Sequence, residues 1–395
     1  MKDTVSRIFE SFASRSSIFR GKDVLQLSYI PEALPHREQE IKQLAGILAP
    51  ALRMETPSHI FIYGKPGTGK TATTLYVGSE LERVASEKEL PVRFLYVNAG
   101  LKKLADTEYR LYAYLSNLLG MPFPHTGLPT SQALQTFVNA LDAQKKIVIL
   151  VVDEMDTLLR KNPDVLYTLS RLNSELKFSK ISLIGITNHL EALEATDART
   201  RSSLSEEELI FSPYNADQLR DILSARANAA FFDSALEPSA ILLCSAHAAK
   251  SHGDARRALE LLRVSGELAE REGVQQVTSR HVTQAISKLD ANHAVSVTKT
   301  LPQHHKLVLK AILNKTEGDY LFTGDIYEEY EKLATGMALP PLTLRRVSDV
   351  LNEFDTMGLI SSKVISRGRY GRTRAVSTRS LKHLQDQLDR VLSDV

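Results

Sequence analysis

Cysteine is almost absent: one residue, Cys244, in a chain of 395. A single thiol excludes a disulfide framework. Its setting in "AILLCSAHAAK" is that of a small core side chain on a helix, with no basic neighbour in sequence to activate it. Long apolar runs are missing too. No segment approaches the ~18 apolar residues of a membrane span, and the opening "MKDTVSRIFESFASRSS" holds no apolar stretch long enough for a signal peptide. A soluble, intracellular chain is expected. A large charge of either sign is also lacking, because 49 Lys+Arg against 47 Asp+Glu leave a formal net charge of +2. Any surface for nucleic acid or membrane must therefore be local. There is no internal repeat or low-complexity tract. The 11 histidines form no H-x-x-x-H pair, so a transition-metal site is not expected.

What is present reads as two or three domains with full cores, at 43% hydrophobic and 24% charged residues. After a lead-in, "PHREQEIKQLAGILAPAL" places Ile41, Leu44, Leu48 and Ala51 at helical spacing. Apolar strands then alternate with helices: "HIFIYG" (59–64), "VRFLYVNA" (92–99), "KIVILVVDE" (146–154), "ISLIGITN" (181–188) and the weaker "ELIFSPY" (208–214). The β-branched run at 146–154 predicts a central strand of a parallel sheet covered on both faces. After Pro213 the pattern turns helical through four segments, with Asn215 a plausible N-cap. "DANHAVSVTKT" (290–300) reads as a polar linker. The last part carries three helices and then "LISSKVIS" and "TRAVST" around "RGRYGR", the plan of a helix-turn-helix with a β-wing.

The segment "GKPGTGKT" fits G-x-x-x-x-G-K-[ST] with Gly64, Gly69, Lys70 and Thr71, between a strand and a helix as that motif requires. Glycines let backbone amides turn toward a phosphate chain, and the helix N-terminus adds partial positive charge. The phosphate-binding set is Gly64, Lys65, Pro66, Gly67, Thr68, Gly69, Lys70, Thr71 and Ala72. Lys70 reaches the β- and γ-phosphates and Thr71 ligates magnesium. Asp153 ends the strongest strand, at the sheet edge where open α/β sheets bind ligands. It would hold magnesium through water, with Glu154 polarising the attacking water; an acidic helix N-cap is the other reading of the pair. Phe19 and Tyr29 could wall an adenine or simply pack the lead-in.

These segments resemble AAA+ ATPases. The resemblance implies that Asn188, closing "ITN", orients the attacking water. It also implies that Arg256 in "GDARRALELL" touches the γ-phosphate from a lid helix, with Arg257 the competing candidate, and that Tyr214 lies near the nucleotide. Within "DARTRSSL" it implies that Arg199, or else Arg201, acts in trans on ATP of a neighbouring subunit. More narrowly, "YIPEALPHREQEI", the glycine loop, "GDARRALELLR" and "LTLRRVSDVLNEFDTMGLI" look like archaeal replication initiators, relatives of the origin recognition complex and of the helicase-loading cell-division-cycle protein. The insert "LADTEYRLYAYLSNLLGMPFPHTGLP" sits where that family carries an extra helical element that contacts DNA. The implied chain binds ATP or ADP with Mg²⁺, hydrolyses slowly, binds double-stranded origin DNA, and recruits the replicative helicase beside other initiator paralogues. It would be cytoplasmic and nucleoid-associated, away from membranes.

The residues support a DNA surface independently. Between 361 and 380 there are six basic residues (Lys363, Arg367, Arg369, Arg372, Arg374, Arg379) and no Asp or Glu. A thin arginine-bearing hairpin suits a minor groove, with Tyr370 along the sugars. In the helix upstream, Thr343, Arg345, Arg346 and Asn352 would face a major groove, while Leu344, Val347 and Leu351 are expected in the core. The expected class is α/β plus α: a P-loop core over 1–212, a helical lid over 213–298 and a winged helix over 299–395. The rivals are a clamp-loader-like or helicase-like motor and a nucleotide-gated transcription regulator.

Overall fold

The computed structural model describes residues 6, 9–10, 17–26, 29, 31, 33–100, 104, 106–124, 126–189, 202, 206–251, 253–315, 320–366, 372–377, 381 and 384–392. They form two compact units, residues 1–282 and 283–395.

The first unit is built on five strands: β1 (Ile60–Gly64), β2 (Val92–Asn98), β3 (Ile147–Asp153), β4 (Lys180–Thr187) and β5 (Glu207–Phe211). Their order is β2-β3-β4-β1-β5 and every pairing is parallel. Helices cover both faces, which explains why β3 is apolar along its length up to the terminal Asp153. Val148, Leu150 and Val152 point into one core, shared with α3 (Glu108–Leu118), α4 (Thr130–Asp142), α5 (Met155–Lys161) and α6 (Pro163–Arg171). Ile147, Ile149 and Val151 point into the opposite core, shared with α1 (Glu38–Leu48) and α2 (Lys70–Glu87). The sheet thus needs two apolar faces at once, and a period-2 strand with both faces buried becomes a continuous apolar run. The chain leaves β1 for the far strand β2 and returns through β3 and β4, so the ends of β3, β4 and β1 lie side by side at a topological switch.

The four expected helices after Pro213 are present as α7 (Ala216–Ala230), α8 (Pro238–Lys250), α9 (Ala255–Glu272) and the start of α10 (Ser279–Thr300). Asn215 caps α7 in a reciprocal box with Gln218. Phe19 belongs to this layer, its ring 4.7 Å from that of Phe231. Tyr29 lies under the Arg226 guanidinium at 4.6 Å.

The linker reading of 290–300 is corrected. Those residues continue α10 without a break. Ala291, Ala294, Thr298 and Leu301 are buried at helical spacing. The overall polarity of the stretch conceals a stripe of small buried side chains, Ala291, Ala294 and Thr298, running into Leu301.

The second unit holds α11 (Gln303–Asn314), α12 (Thr323–Gly336), α13 (Leu344–Thr356) and α14 (Gln385–Leu392). Beside them lies an antiparallel sheet of β6 (Tyr320–Phe322), β7 (Ser361–Ser366) and β8 (Arg372–Ser377), ordered β6-β8-β7. Strand β6, with no alternation to announce it, is three residues long and pairs Leu321 with Val376. The three helices and the β7–β8 wing are the winged-helix fold.

Candidate nucleotide site and winged-helix surface

The glycine loop joins β1 to α2. Gly67 and Gly69 have φ of +72° and +91°, where a Cβ is strained. A Cβ on Gly67 would also strike the Asp254 carboxylate. Lys65 and Pro66 are exposed, and Thr68 is buried with its hydroxyl donating to the Lys65 carbonyl at 2.8 Å. Lys70, 6% exposed, opens α2. Its ammonium donates to the carbonyls of Gly64 (2.6 Å) and Lys65 (2.9 Å) and to Asn188 Oδ1 (2.9 Å). Thr71 and Ala72 follow in the first turn.

Asp153 and Glu154 sit beside the loop. Thr71 Oγ1 donates to Asp153 Oδ2 at 2.7 Å, and the Tyr96 hydroxyl donates to the same oxygen at 2.8 Å. The Glu154 amide donates to Asp153 Oδ1 at 2.8 Å. Glu154 stands at the N-cap of α5 with φ +52°, yet its side chain makes no capping bond. Instead Asn98 Nδ2 donates to Glu154 Oε1 at 3.2 Å. Of the two readings of the acid pair, helix capping by a carboxylate is therefore not what the geometry shows for Glu154. Thr71 Oγ1 and Asp153 Oδ2 are hard oxygen donors at one point of the sheet edge. Magnesium takes such donors in ones and twos together with phosphate oxygens, so the residues fit that ion.

Behind the loop lies a second row, in which Tyr214 was expected near the nucleotide but Arg37 and Asn98 were not. Arg37, 4% exposed, sits at the N-cap of α1. Its Nε donates to the Thr68 carbonyl of the glycine loop (2.9 Å), Nη2 to the Ser212 carbonyl (2.6 Å) and Nη1 to Glu40 (2.7 Å). Its guanidinium lies 4.0 Å from the centre of the Tyr214 ring. Tyr214 is itself buried, with its hydroxyl against Gly69. Asn98 had the same signature as Asn188, a polar residue closing an apolar strand. Arg37 stood inside the "PHRE" segment, but nothing in its spacing announced a buried charge.

The lid reaches the loop through α9. The Ala255 amide donates to the Gly67 carbonyl at 3.2 Å. Asp254 caps α9 by accepting from the amides of Arg256 (2.7 Å) and Arg257 (3.3 Å). Arg256 stands at this junction, and its charge is among those that depress the Lys70 pKa. Arg257 makes an ion pair with Glu260 at 3.6 Å. Arg199 and its competitor Arg201 lie outside the described residues.

Burial chiefly drives the Lys70 pKa down to about 8, with Asp153 opposing and Arg256 assisting. A bound phosphate would restore the charge, so at pH above about 8 binding must take up a proton. The affinity for metal-free ADP is expected to be flat between about pH 7, above the second ionisation of the terminal phosphate, and about pH 8, and to fall up to about tenfold per pH unit above it. Calorimetry at about pH 9 in buffers of different ionisation enthalpy should register that uptake; equal heats would remove Lys70 from the phosphate site. Burial, then the Asp153 carboxylate, hold the Tyr96 hydroxyl well above its ordinary pKa, so it remains a donor.

In the winged helix, Arg345 and Arg346 are exposed on α13 and Lys363 on β7. Arg346 lies 3.9 Å from Asp349 and 3.7 Å from Glu353. Thr343 is the N-cap of α13 and accepts from the Arg346 amide at 3.4 Å. Val347 and Leu351 are buried as expected, but Leu344 is 49% exposed. That expectation is corrected: as the first residue of α13, Leu344 precedes the turn that packs on the core. Arg374 is placed differently from a free groove contact. Its side chain is 16% exposed and donates to Ser362 Oγ (2.6 Å) and Asn352 Oδ1 (3.2 Å), with Asp355 at 3.8 Å. It braces β7, β8 and α13, and it occupies Asn352. Arg367, Arg369 and Tyr370 lie outside the described residues, as does the side chain of Arg372.

A lysine, threonine, acid pair and strand-end asparagine around one sheet edge, met by a lid helix, are those of an AAA+ ATPase. Residues 53–193 match the model of the AAA domain, 220–287 that of the Cdc6 AAA+ ATPase-type lid domain, and 296–383 that of the CDC6 C-terminal winged helix domain. The ORC1-type DNA replication protein of Thermococcus kodakarensis is 47% identical over 381 residues, 95% of this chain and 91% of that protein. ORC1-type DNA replication protein 1 of Archaeoglobus fulgidus is 48% identical over 368 residues, covering 93% and 89%. Among solved structures, the Aeropyrum pernix ORC1 protein in complex with DNA has a TM-score of 0.77 at 43% identity, covering 95% of this chain and 98% of that one. The chain belongs to the archaeal ORC1-type/Cdc6 family of replication initiators.

Proposed function

We propose that this chain binds ATP with magnesium in the cleft between the glycine loop and α9, hydrolyses it slowly, and uses the nucleotide as a switch on its binding of double-stranded origin DNA before the replicative helicase is recruited. The carrying observation is the meeting of four site residues at one sheet edge, Lys70 with Asn188 at 2.9 Å and Thr71 with Asp153 at 2.7 Å. Thr71 and Asp153 would hold the magnesium ion, which would supply neutralisation of the phosphate charge. Lys70 would hold those phosphates, Asn188 and Glu154 would orient the attacking water, and Arg256 would reach the γ-phosphate from the lid. Arg199 or Arg201 would serve a neighbouring subunit. The functional parts would be 1–212, 213–298 and 299–395. The solved relative bound to DNA supports extending DNA binding to this chain.

The switch is tested by Arg256→Ala. Duplex affinity measured with ATP and with ADP should differ for the wild type and become equal for the variant; an unchanged difference would refute the role of Arg256. Slow turnover is tested in the same samples, because strong stimulation of hydrolysis by DNA would instead mark a motor.

Arg345, Arg346, Lys363, Arg367, Arg369, Tyr370 and Arg372 are the proposed DNA-binding residues, with Arg374 bracing the wing. Replacing Arg367, Arg369 and Arg372 together by alanine should weaken binding at every sequence. It should also flatten the slope of log affinity against log salt by about 0.9 for each phosphate no longer neutralised. An unaltered slope would place the duplex on another surface.

A further inference from the structure

Asp153 accepts at both carboxylate oxygens, and its Oδ2 is held by two hydroxyls, from Thr71 and Tyr96. Tyr96 belongs to neither the glycine-loop pattern nor the acid pair. Its placement follows from register. In the parallel β2–β3 pair, Tyr96 is opposite Val151 and Asn98 opposite Asp153. Residues two apart on a strand share a face. Strand β2 therefore presents two polar side chains to the edge of β3, one for each acid: Tyr96 to Asp153 Oδ2 (2.8 Å) and Asn98 to Glu154 Oε1 (3.2 Å).

We propose that Tyr96 is a positioning residue for the divalent cation of the nucleotide complex, fixing the orientation of the Asp153 carboxylate that, beside Thr71, would hold the ion. This rests on the reading of the loop as a site for magnesium and nucleotide. A carboxylate at the end of a strand can turn its oxygens by side-chain rotation. The Glu154 amide pins Oδ1 and the two hydroxyls pin Oδ2, so the plane of the group is set before any ligand arrives. Thr71 would also face the metal, whereas the Tyr96 hydroxyl, which is bonded to Asn98 as well, holds Asp153 without being a ligand itself. Groups that orient a metal ligand without touching the metal typically change metal affinity about 10–100-fold when removed.

The experiment titrates Mg²⁺ into the full chain with a fluorescent ATP analogue and compares wild type with Tyr96→Phe. The Mg²⁺ concentration at half-saturation should rise about 10–100-fold in the variant. Affinity for the analogue in EDTA should stay nearly unchanged, since the phosphate-binding groups of Lys70 and the loop are untouched. An unchanged Mg²⁺ midpoint overturns the proposal. So does an equal loss in EDTA or a melting temperature far below the wild type, because either assigns Tyr96 to the fold. A wild type that binds no nucleotide would instead overturn the reading of the loop itself.

Discussion

Replacing Lys70 by alanine should lower the affinity for ATP and ADP by about 2–5 kcal/mol, roughly 30-fold to several thousand-fold, while leaving the fold in place. Both halves follow from one observation. The ammonium is buried against three oxygens, Gly64 O, Lys65 O and Asn188 Oδ1, and burial depresses its pKa to about 8. A charge whose pKa is depressed is disfavoured by the folded state, which offsets part of the cost of leaving those three oxygens without this donor. A phosphate chain would meet that charge in a site already stripped of water, where a cation–anion contact is strong. Equilibrium binding of a fluorescent adenine nucleotide, with a thermal melt of the same sample, separates the halves. Unaltered affinity, or a variant that does not fold, would contradict the account of the loop.

Arg37→Ala should act in the opposite way, chiefly on stability. Arg37 brings together the start of α1, the glycine loop at Thr68, the end of β5 at Ser212, and the Tyr214 ring. Truncation leaves Glu40 without its cation at 2.7 Å and two carbonyls without donors. Breaking one partner of a buried ion pair costs about 3–5 kcal/mol. At about 2–4 °C per kcal/mol for a unit of this size, the P-loop unit should melt roughly 6–20 °C lower. Arg37→Lys keeps the charge but cannot span three acceptors in different directions, so it should fall between. A shift under about 2 °C for Arg37→Ala, less than ~1 kcal/mol, would mean that water replaces those bonds and that the residue is dispensable.

The parts of the fold legible in the sequence were those where one physical constraint acts alone. The run "IVILVV" has to be apolar because both of its faces are buried, and it is β3. Asn215 was legible as the cap of α7 because the first amides of a helix need an acceptor, and it does cap them. The glycine loop was legible because phosphate chemistry fixes residue type and spacing together, the acids because they close the strongest strand at the sheet edge, and Asn188 only through the resemblance to AAA+ ATPases; Lys70 lies against Asn188 and Thr71 against Asp153. What stayed hidden depends on partners distant in the chain. Tyr96 gains its role from the register of β2 on β3, and Arg37 gains its role from a carbonyl 31 residues away. The polar end of α10 was hidden for a different reason, because the stripe it buries, Ala291, Ala294 and Thr298, consists of small side chains, one of them polar, that do not stand out against their neighbours. Arg374 looked like one basic residue among six, and only the fold shows it facing Ser362, Asn352 and Asp355.

Footprinting of the purified chain over the chromosomal region around its own gene, with ATP and with ADP, tests most directly whether a nucleotide held between the glycine loop and the lid governs how the winged helix engages an origin. The expected result is a compact cluster of protected sites at one intergenic origin, with a pattern that differs between the two nucleotides and loses that difference in Lys70→Ala. Protection scattered over promoters, or identical with either nucleotide in the wild type, would contradict the proposed switch.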